Sequence, residues 1–177
     1  MSCLLHAASV AVFSRYLRQL DGMLAKAAQH AATRPDGEAA LLAARLAPDM
    51  FPLRQQISTA TGFTLRACAP LAGCEVPPMP PSDADFAALR ARVAFALDWL
   101  AALPADAIEA GAVRPVTTVA GQATHTLSGA DFLLQYALPN FFFHLGMVYA
   151  ILRAQGVAIG KPDFDGFHAY APGFRFS

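Results

Sequence analysis

Apolar residues recur at helical spacing along most of the chain, and the places where the rhythm breaks divide it into segments. Val12, Phe13, Tyr16, Leu17, Leu20, Met23, Leu24 and Ala27 return every three or four positions, which predicts a first helix from about Leu5 to Ala32. Pro35 and Gly37 end it. A second helical region begins near Glu38 and is interrupted by Pro48 and Pro52 in RLAPDMFPLRQQ, so a short helix should turn there into a longer one ending around Gly73. The segment CEVPPMPP, Cys74 to Pro81, has four prolines in eight positions and is expected to be a stiff extended connector. Ser82 is the expected N-cap of the next helix, with Asp83 and Asp85 in its first turn. Phe86, Leu89, Val93, Phe95, Leu97 and Leu100 carry that helix to about Leu103, where Pro104 stops it.

The period then changes. In VRPVTTVAGQATHTL, Val113 to Leu127, β-branched residues flank an Ala-Gly-Gln turn, which predicts a two-stranded hairpin. Ser128 followed by Asp131 has the spacing of a capping box and starts a long final helix. That helix, LLQYALPNFFFHLGMVYAILRAQG from Leu133 to Gly156, is apolar nearly throughout, and Pro139 is expected to kink it. The tail is rich in Gly, Pro and aromatics, a composition that suggests docking on the helices. The expected fold is all-α: an up-and-down four-helix bundle with a small β-hairpin inserted before the last helix, as one domain over residues 1–177.

Within the final helix, Asn140 and His144 stand four residues apart, one turn above each other. Leu133, Ala137, Val148 and Ile151 continue that face, so two polar groups are expected to project into an apolar interior. Phe132 to Leu152 is long enough to cross a bilayer, but Gln135, Pro139, Asn140 and His144 fall inside it, which favours a buried core helix.

Composition narrows the function. Hydrophobic residues make up 55% of the 177 positions and charged residues 15%, as in a compact helical protein. Thirteen basic and thirteen acidic residues balance, with no Lys/Arg stripe, so nucleic acid is not an expected partner. Cys3, Cys68 and Cys74 form no CxxC pair and are read as reduced thiols of a cytoplasmic protein. The N-terminus has no basic region ahead of its apolar residues, which speaks against a secretion signal. Neither GxSxG nor a glycine-rich phosphate loop occurs.

HLGMVYAILRAQGV, His144 to Val157, resembles the last-helix signature of the DinB/YfiT-like superfamily of four-helix bundles. Together with RLAPDMFPLRQQ, ALPNFFFH and LRAQGVAIGKPDF, it resembles an uncharacterised bacterial branch of that superfamily, a domain of unknown function. The resemblance covers nearly the whole chain. It implies a divalent-metal site of three histidines, one from the second helix and two spaced four apart on the last, and in some members thiol-dependent transferase or isomerase activity. His144 matches the second of the paired histidines, Asn140 stands at the first, and RLAPDMFPLRQQ contains no histidine.

From these residues the candidate ligand-binding set is Asp49, Gln55, Asn140 and His144. Asp49, Asn140 and His144 would suit a hard divalent metal ion better than zinc or nickel, because only one imidazole is present. In a catalytic reading His144 is the metal ligand or general base and Asp49 its orienting partner. In a structural one His144 hydrogen-bonds to Asn140 or Asp49. The other histidines read as bland: His6 near a bundle end, His30 at a helix C-terminus, His125 and His168 on the surface. Cys68 reads as an inert buried thiol. Two functions stay open: a DinB-like protein with a small-molecule or altered metal site, and a non-enzymatic helical homodimer whose core polar residues only specify packing.

Overall fold

The computed structural model describes residues 4–171 and 173–174. Among them, four long helices, α1 (Val12–Ala32), α3 (Leu53–Ala72), α4 (Phe86–Ala101) and α6 (Leu138–Ala154), carry the core. Three short helices join them: α2 (Gly37–Ala43), α5 (Ala105–Ala110) and α7 (Lys161–Asp165). Strands β1 (Pro115–Ala120) and β2 (Ala123–Ser128) pair antiparallel as a separate two-stranded sheet. The protein is therefore mostly helical with one small sheet, and its helices outnumber the four that the apolar rhythm announces.

Two π-helical turns extend the long helices. Ala7–Ala11 follows Leu4–His6 and leads into α1, while Phe132–Ala137 follows Gly129–Asp131 and leads into α6. The second turn explains how the last helix accommodates Pro139. Proline has no N–H and its ring crowds the preceding turn, so in a helix interior it removes one bond of the α ladder and strains the turn before it. Here the turn before it is widened, with the Leu138 N–H reaching back to the Leu133 carbonyl.

α3 is the central element, packed against α6 on one side and α4 on the other, while α1 packs on α4 and α7. Its inward stripe, Leu53, Ile57, Ala60, Thr64, Ala67 and Leu71, is almost completely buried. Phe13 of α1 meets Phe141 of α6 edge to face, with ring centroids 5.0 Å apart, and both are fully buried. α3 ends where the sequence predicts, with Gly73 left-handed at φ 72°.

Three boundaries differ from the sequence reading. Asp85, not Ser82, caps α4: its carboxylate accepts from the Ala88 N–H at 2.7 Å, and the Phe86 N–H donates to Glu38. The helix starts there because Phe86 is the first residue after the proline connector whose ring enters the core. Pro104 does not simply stop α4. It precedes α5, whose Ile108 is fully buried. Finally, the tail docks on the helices as expected, but its first residues form a short helix, α7, that the sequence reading lacks: Gln19 donates to the Pro162 carbonyl at 3.1 Å, and Lys26 pairs with Asp163 at 2.6 Å. Phe164 packs against Tyr16 and Tyr149.

The hairpin is held to the bundle at its base. Arg114, just before β1, donates to the Pro70 and Leu71 carbonyls at 2.9 and 2.6 Å, satisfying acceptors at the C-terminal end of α3. A Cβ at Gly129 would lie 2.0 Å from the Gly111 carbonyl oxygen, so the two backbones approach through glycine. Ser128 Oγ accepts from the Asp131 N–H at 3.1 Å, as its capping spacing predicts. No helix among the described residues is long and apolar enough to cross a membrane.

Candidate functional site

The start of α3 and the middle of α6 meet at His144. The chain between α2 and α3 bends through Pro48 and Pro52, and Arg45 satisfies it by donating to the Pro48 and Met50 carbonyls at 3.2 and 3.3 Å. The bend delivers Phe51 against the His144 ring, stacked with an interplanar angle of 15°. Phe63, from α3, stacks on the same imidazole at 5.7 Å between centroids. Gln56 lies three residues from Leu53 and four from Ala60, so it faces inward and is only 2% exposed.

Gln56 fixes the imidazole. Its Nε2 donates to the Phe51 carbonyl at 3.4 Å, which orients the amide so that Oε1 faces His144 Nδ1 at 2.7 Å. An amide oxygen only accepts, so Nδ1 carries the proton and Nε2 carries the lone pair in the neutral ring. Burial, with a lesser contribution from the Arg66 charge, lowers the His144 pKa below its ordinary 6.5 and favours that neutral form. No buried side-chain nitrogen or oxygen among the described residues lacks a hydrogen-bond partner. His144 retains 9% exposure, so Nε2 is the solvent-reachable edge of the ring. Phe51 and Phe143, 50% and 55% exposed, flank this pole.

The other residues singled out from the sequence lie elsewhere. Asn140 is half-buried, and its Nδ2 donates to the Tyr136 carbonyl at 2.7 Å, not to His144. The core stripe of the last helix runs through Ala137, Phe141, Leu145 and Val148, which leaves position 140 at its edge. Asp49 is exposed in the proline bend, two residues before Phe51. Gln55 is exposed and donates to Thr59 Oγ1 at 3.1 Å. The hydrogen-bond partner of His144 is thus Gln56, not Asn140 or Asp49. Gln56 was legible as the polar member of the Leu53, Ile57, Ala60 stripe.

Among the described residues no group of three or more His, Cys, Asp or Glu side chains could hold a metal ion together. The donors at the pole are one free imidazole nitrogen and a Gln56 oxygen already engaged by Nδ1. That set does not fit a resident three-imidazole zinc or nickel centre.

A second feature lies further along α3. A cleft of about 660 Å³ opens between α3, the π turn before α6, β1 and the proline connector. α3 contributes Phe63 and Arg66, and the π turn contributes Phe132 and Tyr136. Phe63 joins the two features, since its ring touches both His144 and Tyr136. The Arg66 guanidinium lies 4.5 Å over the Phe63 ring. The residue as a whole is exposed, yet its head group loses hydration against that ring, and its pKa falls below the ordinary arginine value. It remains cationic at neutral pH.

The remaining histidines and thiols are accounted for. His30 Nε2 and Arg34 both donate to the Gln155 carbonyl, at 3.1 and 3.3 Å, closing the C-terminal end of α6. His125 is exposed on β2, and the His6 N–H donates to Glu109 at 2.8 Å. His168 pairs locally: its Nδ1 lies 2.5 Å from Asp165, whose carboxyl is held low chiefly by the Phe167 N–H. Cys68 is buried and its pKa is pushed up by burial, as an inert thiol requires. Cys74 is exposed, and Cys3 lies outside the described residues.

Residues 5–165 match the family model of a domain of unknown function, DUF1993. The chain is also similar to a crystal structure, at 1.83 Å resolution, of a DinB family member protein from Shewanella denitrificans. The two share 30% identity over 95% of each chain, with a TM-score of 0.82. No curated protein matches the chain.

Proposed function

Since the chain belongs to the DUF1993 family and is built like a DinB family member, we propose that it is a small-molecule-binding DinB-like protein, an up-and-down bundle whose recognition centre is His144. The observation that carries this reading is the His144–Gln56 hydrogen bond. The bond satisfies the buried Nδ1–H, and it also leaves a fixed tautomer whose free lone pair lies at the solvent-reachable edge of the ring. A recognition group gains a directed acceptor for a ligand N–H or O–H. In this reading Gln56 positions the ring, while Asp49, Gln55 and Asn140 are the polar groups nearest in sequence that a ligand would meet on the surrounding surface.

Should the protein be an enzyme, the neutral His144 is its candidate general base, because Nε2 holds no proton at neutral pH. A cytoplasmic setting suits the reduced thiols. The altered Asp49, Asn140 and His144 set for a hard divalent ion is the competing outcome.

The test combines metal content with ligand screening. Untagged wild type and His144→Ala are assayed for metal and screened by thermal shift against a library of small polar metabolites. Compounds that stabilise the wild type and not the variant support the reading. Stoichiometric metal that is lost in His144→Ala replaces it with the altered ion site. No hits and no metal, with only stability changed, sink it.

A second reading rests on Phe51 and Phe143, the exposed rings beside the pole. We propose that they belong to a homodimer interface. A monomer by light scattering at micromolar concentration contradicts this, and a dimer dissociated by Phe143→Asp supports it.

A further inference from the structure

We infer that the 660 Å³ cleft beside the hairpin is a binding site for a monocarboxylate carried on an apolar, ring-bearing body, with Arg66 as its anchor. The cleft lies within the range of small-molecule sites, and its floor is apolar: Phe63, Val116 and Phe132 are each under a tenth exposed. Its rim leaves Val76 and Val119 at 48% and 65% exposure, apolar surface that an occupant of this kind would cover. The inference stands apart from the reading of His144.

The choice of a carboxylate comes from Arg66. Arg34, Arg90 and Arg92 each pair with an aspartate, at 2.7, 2.7 and 3.4 Å. Arg66 has no ion pair among the described residues; its guanidinium carbon instead lies 4.5 Å over the centre of the Phe63 ring, at the edge of the cleft. That geometry suits bidentate capture of a carboxylate, with the aromatic face already beneath it. The position is prepared by Gly62, one turn earlier. A Cβ there would meet Arg66 Nη1 at 3.0 Å, so the missing side chain lets the guanidinium fold back along the helix. Tyr136 supplies a second polar group on the same wall.

The remaining charges limit the ligand to a single negative charge. Among the described residues that line the cleft, Arg66 is the one unpaired cation, and Glu75 on the connector also lines it without coming within ion-pair reach of Arg66. A phosphate dianion would meet repulsion from Glu75 with one guanidinium to offset it. The Pro70 and Leu71 carbonyls at the end of α3, which would also repel an anion, are covered by Arg114.

The cleft contains its own reporter. Cys74 lines it and is exposed, whereas Cys68 is buried and its thiol pKa is pushed up. The experiment follows iodoacetamide alkylation of Cys74 by peptide mass spectrometry in the full chain, with each rate normalised to the Cys74 thiolate fraction from its pH dependence. Naphthalene-2-carboxylate, 2-naphthylmethanol and 2-naphthylmethylamine serve as probes with one body and three charges. The carboxylate is expected to protect Cys74 saturably and more tightly than the other two. Arg66→Gln should weaken it roughly tenfold or more. Glu75→Gln should strengthen it a few-fold by removing the repulsion. Gly62→Ala should weaken it while leaving the melting temperature unchanged or raised, since alanine is the better helix former. The inference is overturned if the carboxylate gives no protection, if the three probes protect alike, or if protection survives Arg66→Gln.

Discussion

Gln56 and Arg66 stand on the same helix about three turns apart, and the fold treats them oppositely. Gln56 is 2% exposed and both atoms of its amide are engaged, one by His144 and one by the Phe51 carbonyl. Arg66 is exposed at a cleft, resting on an aromatic ring with no carboxylate partner among the described residues. A polar group removed from water must find its partners within the protein, so it becomes rigid and defines a direction. One left at a cleft keeps water as its partner and can exchange it for a ligand. His144 stands between them, oriented by the first through a hydrogen bond and discharged in part by the charge of the second.

The contrast can be broken from either side, and the largest effect is expected on the cleft side. Gly129→Ala places a methyl 2.0 Å from the Gly111 carbonyl oxygen, which backbone cannot yield without moving the hairpin. A loss of roughly 3 kcal/mol in urea unfolding is expected. His144 NMR resonances should stay near their wild-type positions, because the pole does not depend on the hairpin. Resonances that collapse together with the hairpin's would mean the two regions are one unit.

Gln56→Leu attacks the other side. It leaves the Nδ1–H without its acceptor in a largely buried setting and should cost about 2 kcal/mol. Imidazole nitrogen chemical shifts should report loss of the single Nδ1–H tautomer, whereas Gln55→Leu next to it, on the exposed face, should do neither.

A smaller effect concerns pH. The His144 pKa is lowered in the folded state, so the unfolded chain takes up a proton first as pH falls. The associated stability is fully present above the ordinary value of 6.5 and is lost as pH drops below it through the lowered folded value. Denaturation curves from pH 8 to 5 should therefore show a decline that His144→Gln makes shallower. An identical decline in the variant would assign it to other groups.

The smallest effect is expected at Lys26→Ala, which removes the partly exposed pair with Asp163 and should change stability by about 0.5 kcal/mol. A change above 2 kcal/mol would show that α7 is anchored by that pair and not by Phe164 on Tyr16 and Tyr149.

How much of this was legible beforehand follows from which signals are local. The long helices, the proline bend, the hairpin and the Ser128 cap are written in periodicity and turn residues, and they lie where those residues place them. Asp85 took the cap expected of Ser82 because capping was decided by where Phe86 reaches the core, a tertiary fact. Asn140 was expected to share the inward face of His144, but the stripe runs through Ala137 and Phe141, and the Asn140 amide turns back onto its own helix. Gln56 and Arg66 were passed over in favour of Gln55 for opposite reasons. Gln56 needed its helical phase taken literally, and the meaning of Arg66 depends on a hairpin strand about fifty residues away that no local pattern joins to it.

The π turn at Phe132–Ala137 has a consequence for how this fold changes over generations. A π turn contains one residue more than the α turn it replaces, and one residue is about 100° of rotation. The widened turn itself presents Phe132 and Tyr136 to the cleft, while the regular helix beyond it presents His144 to Gln56. Removing one residue from the turn would re-aim those two rings and leave the helix beyond in place. Gain or loss of a single codon there would give this chain a different cleft over the same histidine.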